Sequence, residues 1–103
     1  MNTDRELLEA AAKAAGLVLR DWMPGSLGFA TIPNARADGR WNPITDDGDA
    51  LRLAVRLGLE VDCETDPIAV GDGNIGVREA HRGDPYVATR RAIVRAAAAM
   101  VAG

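Results

Sequence analysis

Three stretches of this 103-residue chain carry their own start signals for a helix, two of them with stop signals as well, and that constrains its folding more than any other feature. The first opens on Thr3-Asp-Arg-Glu6, a capping box in which Thr3 accepts the amide of Glu6 while Glu6 reaches back. Leu7, Leu8, Ala11, Ala12 and Ala15 then share one helical face, and Gly16 suits the left-handed residue that ends a helix. The second opens on Asp46, Asp47 and Asp49, whose charges favour the positive end of a helix, and stops at Gly58. Its apolar face is Leu51, Ala54 and Val55, widened by Leu53 and Leu57, so two packing surfaces are expected rather than one. The third opens on Asp84-Pro85, a cap followed by a proline at the first helical position. Ile93, Val94, Ala97 and Val101 should face inward from it. The signals predict helices over 3–15, 46–57 and 85–101.

The intervening segments read as strands. Leu17-Val-Leu-Arg-Asp-Trp22 follows the first helix, and after Pro24-Gly25 the stretch 27–32 is its hairpin partner. Residues 33–40 are polar and turn-rich, the expected mobile loop, ended by Trp41-Asn-Pro43. Leu59-Glu-Val-Asp-Cys63 alternates, with Leu59, Val61 and Cys63 inward. Ile68-Ala-Val70 and Ile75-Gly-Val77 flank a Gly-Asp-Gly-Asn turn. The order is α-β-β-α-β-β-α, an α+β domain with a mainly antiparallel short-stranded sheet and three helices packed on it. One domain, 1–103, accounts for the whole chain.

Composition limits the functions. Apolar residues are 48% and charged residues 26%, the balance of a folded domain, yet only 4% are aromatic. A core built of small side chains predicts stability near the low end of about 5–15 kcal/mol. The net charge of −3 argues against DNA or anionic lipid as a nonspecific partner. Acids gather between residues 46 and 66, arginines from residue 78 onward. A lone cysteine, Cys63, excludes an internal disulfide and fits a reducing compartment. The polar N-terminal residues lack the apolar run of a signal peptide, and no stretch reaches the ~18 apolar residues of a membrane span. A cytoplasmic location is expected.

Several motifs promise chemistry that their context withdraws. Gly71-Asp-Gly73-Asn-Ile-Gly76 matches a dinucleotide fingerprint, but no helix opens inside it, so a hairpin turn is expected. Asp46, Asp47 and Asp49 have oxygens that a hard cation favours, and equally the chemistry of a helix cap, which is preferred. Asp62, Glu64 and Asp66 alternate as in a calcium loop, but Pro67 and Gly73 stand where that loop needs glycine and glutamate. Cys63 and His81 form the one thiol–imidazole pair the composition allows, with Cys63 expected on an inward face. Arg82-Gly83-Asp84 reads as a turn and cap. No metal and no cofactor is expected.

Arginine spacing is the remaining signal. Arg52 and Arg56 lie four apart on the second helix, and Arg91 and Arg95 on the third, with Arg90 beside them. Such pairs put forked donors on one helix face, suited to phosphate or carboxylate. They also suit a solvated face paired with nearby acids. Trp22, Trp41 and Tyr86 read as core or lid, Trp41 bordering the loop.

Two segments, Trp41-Asn-Pro-Ile-Thr-Asp-Asp-Gly-Asp-Ala-Leu-Arg-Leu-Ala-Val-Arg-Leu-Gly58 and Asp84-Pro-Tyr-Val-Ala-Thr-Arg-Arg-Ala-Ile-Val-Arg-Ala-Ala98, together with Leu7-Leu-Glu-Ala-Ala-Ala-Lys-Ala-Ala-Gly16, resemble the small phage and prophage proteins grouped as the phage ABA sandwich domain. The resemblance implies an α/β/α layered sandwich and a phage origin, and transfers no site residue. The expectation is a non-enzymatic phage or prophage accessory protein in the bacterial cytoplasm. It would act by protein–protein interaction, through self-association or interference with a host factor. The alternative is a binder of small nucleotide signals, with Arg52, Arg56, Arg91 and Arg95 as phosphate clamps and Trp41 beside them. An enzyme built on the 46–49 aspartates ranks last.

Overall fold

The computed structural model describes residues 3–23, 28–32 and 39–102. Helix α1 spans Asp4–Ala15, strands β1, β2 and β3 span Val18–Met23, Gly28–Ile32 and Arg40–Trp41, and helix α2 spans Asp47–Leu57. Strands β4, β5 and β6 span Glu60–Asp62, Ile68–Gly71 and Gly76–Glu79, and helix α3 spans Pro85–Ala102. The α+β class, the three helices and the antiparallel short strands are as the sequence indicates. Among the described residues the strands form two three-stranded sheets, so the order is α-β-β-β-α-β-β-β-α rather than α-β-β-α-β-β-α: the 59–63, 68–70 and 75–77 segments each supply a strand, and β3 is the one the sequence does not show. The 24–25 turn and residues 33–38 of the expected loop lie outside the described residues, and Arg40 at its end begins β3.

Local chemistry sets the helix ends. Thr3 Oγ1 accepts the Glu6 N–H at 3.2 Å and Glu6 Oε1 accepts the Thr3 N–H at 3.1 Å. Gly16 takes a φ of 75°, and the N–H of Leu17 closes the helix on the Ala12 carbonyl. Gly58 repeats this for α2, with Leu59 donating to Ala54. Asp84 accepts the N–H groups of Tyr86 and Val87, and so caps α3 through the Arg-Gly-Asp turn.

Helix α3 is the centre of the molecule. Its contact with α1 is the most extensive between any two elements, and it also packs on α2, β5 and β6. Ala88, Ala92, Ile93, Val94, Ala96, Ala97 and Ala98 are all buried, so α3 is covered on several sides rather than along one stripe. Its alanines allow α1, with Ala11, Ala12 and Ala15 buried, to approach closely. Val101, expected inward, is 39% exposed.

In the first sheet β2 lies between β1 and β3. Trp22 and Phe29 meet edge to face at 4.8 Å, and the Arg5 guanidinium of α1 sits 5.5 Å from the Trp22 ring. In the second sheet β5 is central, and Val61, Val70 and Val77 are paired across it. Paired residues share a face, so these valines point to the α3 side with Ile68. Glu60, Asp62, Ala69, Gly71, Gly76 and Arg78 occupy the opposite face.

Candidate functional site

The acidic turn before α2 holds the aspartates that suit a helix cap, a cation or catalysis alike. Asp46 is the helix cap, accepting the Asp49 N–H at 2.8 Å. Asp49 is buried, and its two oxygens accept the Asn42 N–H and an Arg52 N–H, each at 2.8 Å. Asp47 pairs with Arg90, whose Nε also donates to the Ile44 carbonyl at 2.8 Å. All three carboxylates therefore hold the 41–46 turn against α2 and α3. Among the described residues, no three acidic, histidine or cysteine side chains gather where they would hold a metal ion.

The arginines go to separate partners. Arg52 bonds Asp49 and lies 3.9 Å from Asp46. Arg56 donates to the Ala15 carbonyl at the end of α1, joining two helix termini. Arg91 meets Asp4 at 3.0 Å, and Arg95 bonds Glu79 and the Arg78 carbonyl. Each of the four thus links α2 or α3 to its own acid or carbonyl, and among the described residues no two share a partner. Trp41 is 3% exposed and belongs to the core.

The 71–76 glycine segment is the β5–β6 hairpin, as expected. Asp72 accepts the N–H groups of Asn74 and Ile75 at 2.9 and 2.8 Å. These bonds hold its carboxyl below the usual aspartate range, the Ile75 bond contributing most. A Cβ on Gly71 would stand 2.2 Å from the Ile75 carbonyl oxygen, so the turn closes only over glycine.

The outer stripe of α2, Tyr86 and Cys63 are all more exposed than a core position would be. Helix α2 buries Ala50, Leu53 and Ala54, but Leu51 and Val55 are 63% and 72% exposed. The second apolar surface of this helix therefore has no internal partner among the described residues. Tyr86, read as core or lid, is 69% exposed. Cys63, expected inward, is exposed beyond the end of β4, its Sγ 3.7 Å from Thr89 Oγ1. Leu51, Val61, Cys63, Tyr86 and Ile93 line one groove of about 580 Å³ between α2, β4 and α3. Helical spacing shows that Leu51 and Val55 form a stripe, but not whether anything covers it. Of that stripe, Leu51 lines the groove.

Comparison with family models, curated proteins and solved structures finds no match to this chain. No helix among the described residues is long and apolar enough to cross a membrane.

Proposed function

We propose that this protein acts by binding another protein, in a non-enzymatic accessory role of the phage or prophage type, through the groove between α2, β4 and α3. The carrying observation is the cluster of large apolar side chains left in solvent around it, Leu51, Val61 and Tyr86. Such a cluster on a small domain marks an interaction surface, because covering it with a partner removes apolar area from water. Arg52, Arg90, Arg91 and Arg95 support the same reading, since each is paired with an acid of the fold. The phage attribution rests on the resemblance of the 41–58 and 84–98 segments, and Arg90 ties those segments together through Ile44 and Asp47.

Affinity capture from the bacterium carrying the gene tests this reading, comparing the native chain with Leu51→Lys and Tyr86→Lys. One protein should be enriched by the native chain and lost with both variants while their melting temperatures hold. Equal capture by all three chains would contradict it.

A further inference from the structure

Strand β4 is the edge of the second sheet. It bonds β5 on one side, and among the described residues no backbone hydrogen bond reaches its other side. An open edge accepts an added strand, because each unpaired N–H and carbonyl gains a partner there.

The two faces of this edge differ in chemistry. Val61 points to the α3 side and into the groove beside Leu51, Tyr86 and Ile93. Glu60 and Asp62 occupy the other face, followed by exposed Glu64, and no described residue forms an ion pair with any of the three. An added strand alternates its side chains between the same two faces.

We propose that β4 receives an extended segment of a partner protein in which basic and apolar residues alternate. The apolar side chains enter the groove over Val61 and Leu51, and the basic ones lie against Glu60, Asp62 and Glu64. This deepens the protein-binding reading and rests on it. Charge complementarity selects the occupant. Pairing β4 with β4 of a second copy sets carboxylates opposite carboxylates, which is unfavourable. A nucleic acid strand meets the same carboxylates with phosphates.

The test is titration of the full ¹⁵N-labelled chain with two synthetic peptides of about seven residues, the usual length of a strand. One alternates lysine with valine, the other glutamate with valine. The lysine peptide should move the amide resonances of 60–62 and slow their hydrogen exchange, and the glutamate peptide should not bind. The double variant Glu60→Lys, Glu64→Lys, altered only at exposed side chains, should bind the lysine peptide about tenfold more weakly and gain affinity for the glutamate peptide. Three results would overturn the proposal: lysine-peptide binding unchanged by charge reversal, binding at another surface, or no binding at all. A concentration-dependent dimer joined through β4 would overturn it in favour of a second copy. If capture is lost with Leu51→Lys but neither peptide binds, the groove reading stands and the strand-edge proposal falls. If capture is also insensitive to Leu51→Lys, both fall.

Discussion

The buried carboxylate of Asp49 accepts the backbone N–H of Asn42 at 2.8 Å, so the first turn of α2 anchors the chain that leads into it. Asn42 Oδ1 in turn accepts the Ile44 N–H at 3.1 Å, and the Asn42 carbonyl accepts the N–H of Asp46 at 2.9 Å. An acidic run that looks like a cation site is thereby a scaffold for the 41–46 turn.

Removing that acceptor leaves the buried Asn42 amide without its partner. Asp49→Ala should therefore destabilise the fold by about 1–3 kcal/mol in urea unfolding. Arg52→Ala, which removes only the half-exposed end of the pair, should cost less than about 1 kcal/mol. Equal losses would mean that the ion pair, and not the turn, is what Asp49 supports.

The glycine hairpin gives a paired test. Gly71→Ala drives a Cβ into the Ile75 carbonyl and should cost more than about 1 kcal/mol. Gly76→Ala meets nothing within 4 Å and should be close to neutral, within about 0.5 kcal/mol. Thermal melts of the two variants decide it, and a destabilised Gly76→Ala would contradict the register.

Acid sensitivity follows from Glu6 and Asp72. The Thr3 backbone N–H and side chain hold Glu6 below its ordinary 4.5, and the Ile75 and Asn74 amides hold Asp72 below its ordinary 3.8. Both carboxyls bind protons less readily folded than unfolded. Their stabilising effect is thus full above those ordinary values and is lost as pH falls through the lower folded ones. Asp72→Asn keeps an acceptor oxygen without the charge, so its melting temperature should fall less steeply with acid than that of the native chain. Parallel acid limbs would contradict this origin.

Helix α2 should respond asymmetrically to substitution. Leu53 is 3% exposed, and Leu53→Ala should cost about 2–5 kcal/mol. Leu51→Lys, on the exposed stripe, should change stability by less than about 0.5 kcal/mol. A collapse of the fold with Leu51→Lys would show that the stripe has an internal partner.

The helices were legible in the sequence because their ends are decided locally, by Thr3, Asp46 and Asp84 at the starts and Gly16 and Gly58 at the stops. The β5–β6 hairpin was legible for the same reason. Strand β3 was not, since two residues become a strand only by pairing with β2. Arg90 was passed over beside Arg91 because its partners, Asp47 and Ile44, lie 43 and 46 residues away. The groove was hidden because alternation in Leu59-Glu-Val-Asp-Cys63 gives the direction of a side chain, not what lies opposite it. Cys63 points to the groove side and still meets solvent.

That exposed thiol allows a photocrosslinking test of whether a partner protein sits in the groove. Cys63, the only cysteine of the chain, would carry a short photocrosslinker. A control chain would carry Cys63→Ser with the same group at Lys13→Cys, on the exposed side of α1. After irradiation in the cells carrying the gene, one dominant crosslinked protein should come from Cys63, absent from the control and lost with Leu51→Lys. The same crosslinks from both positions, or none from Cys63, would contradict it.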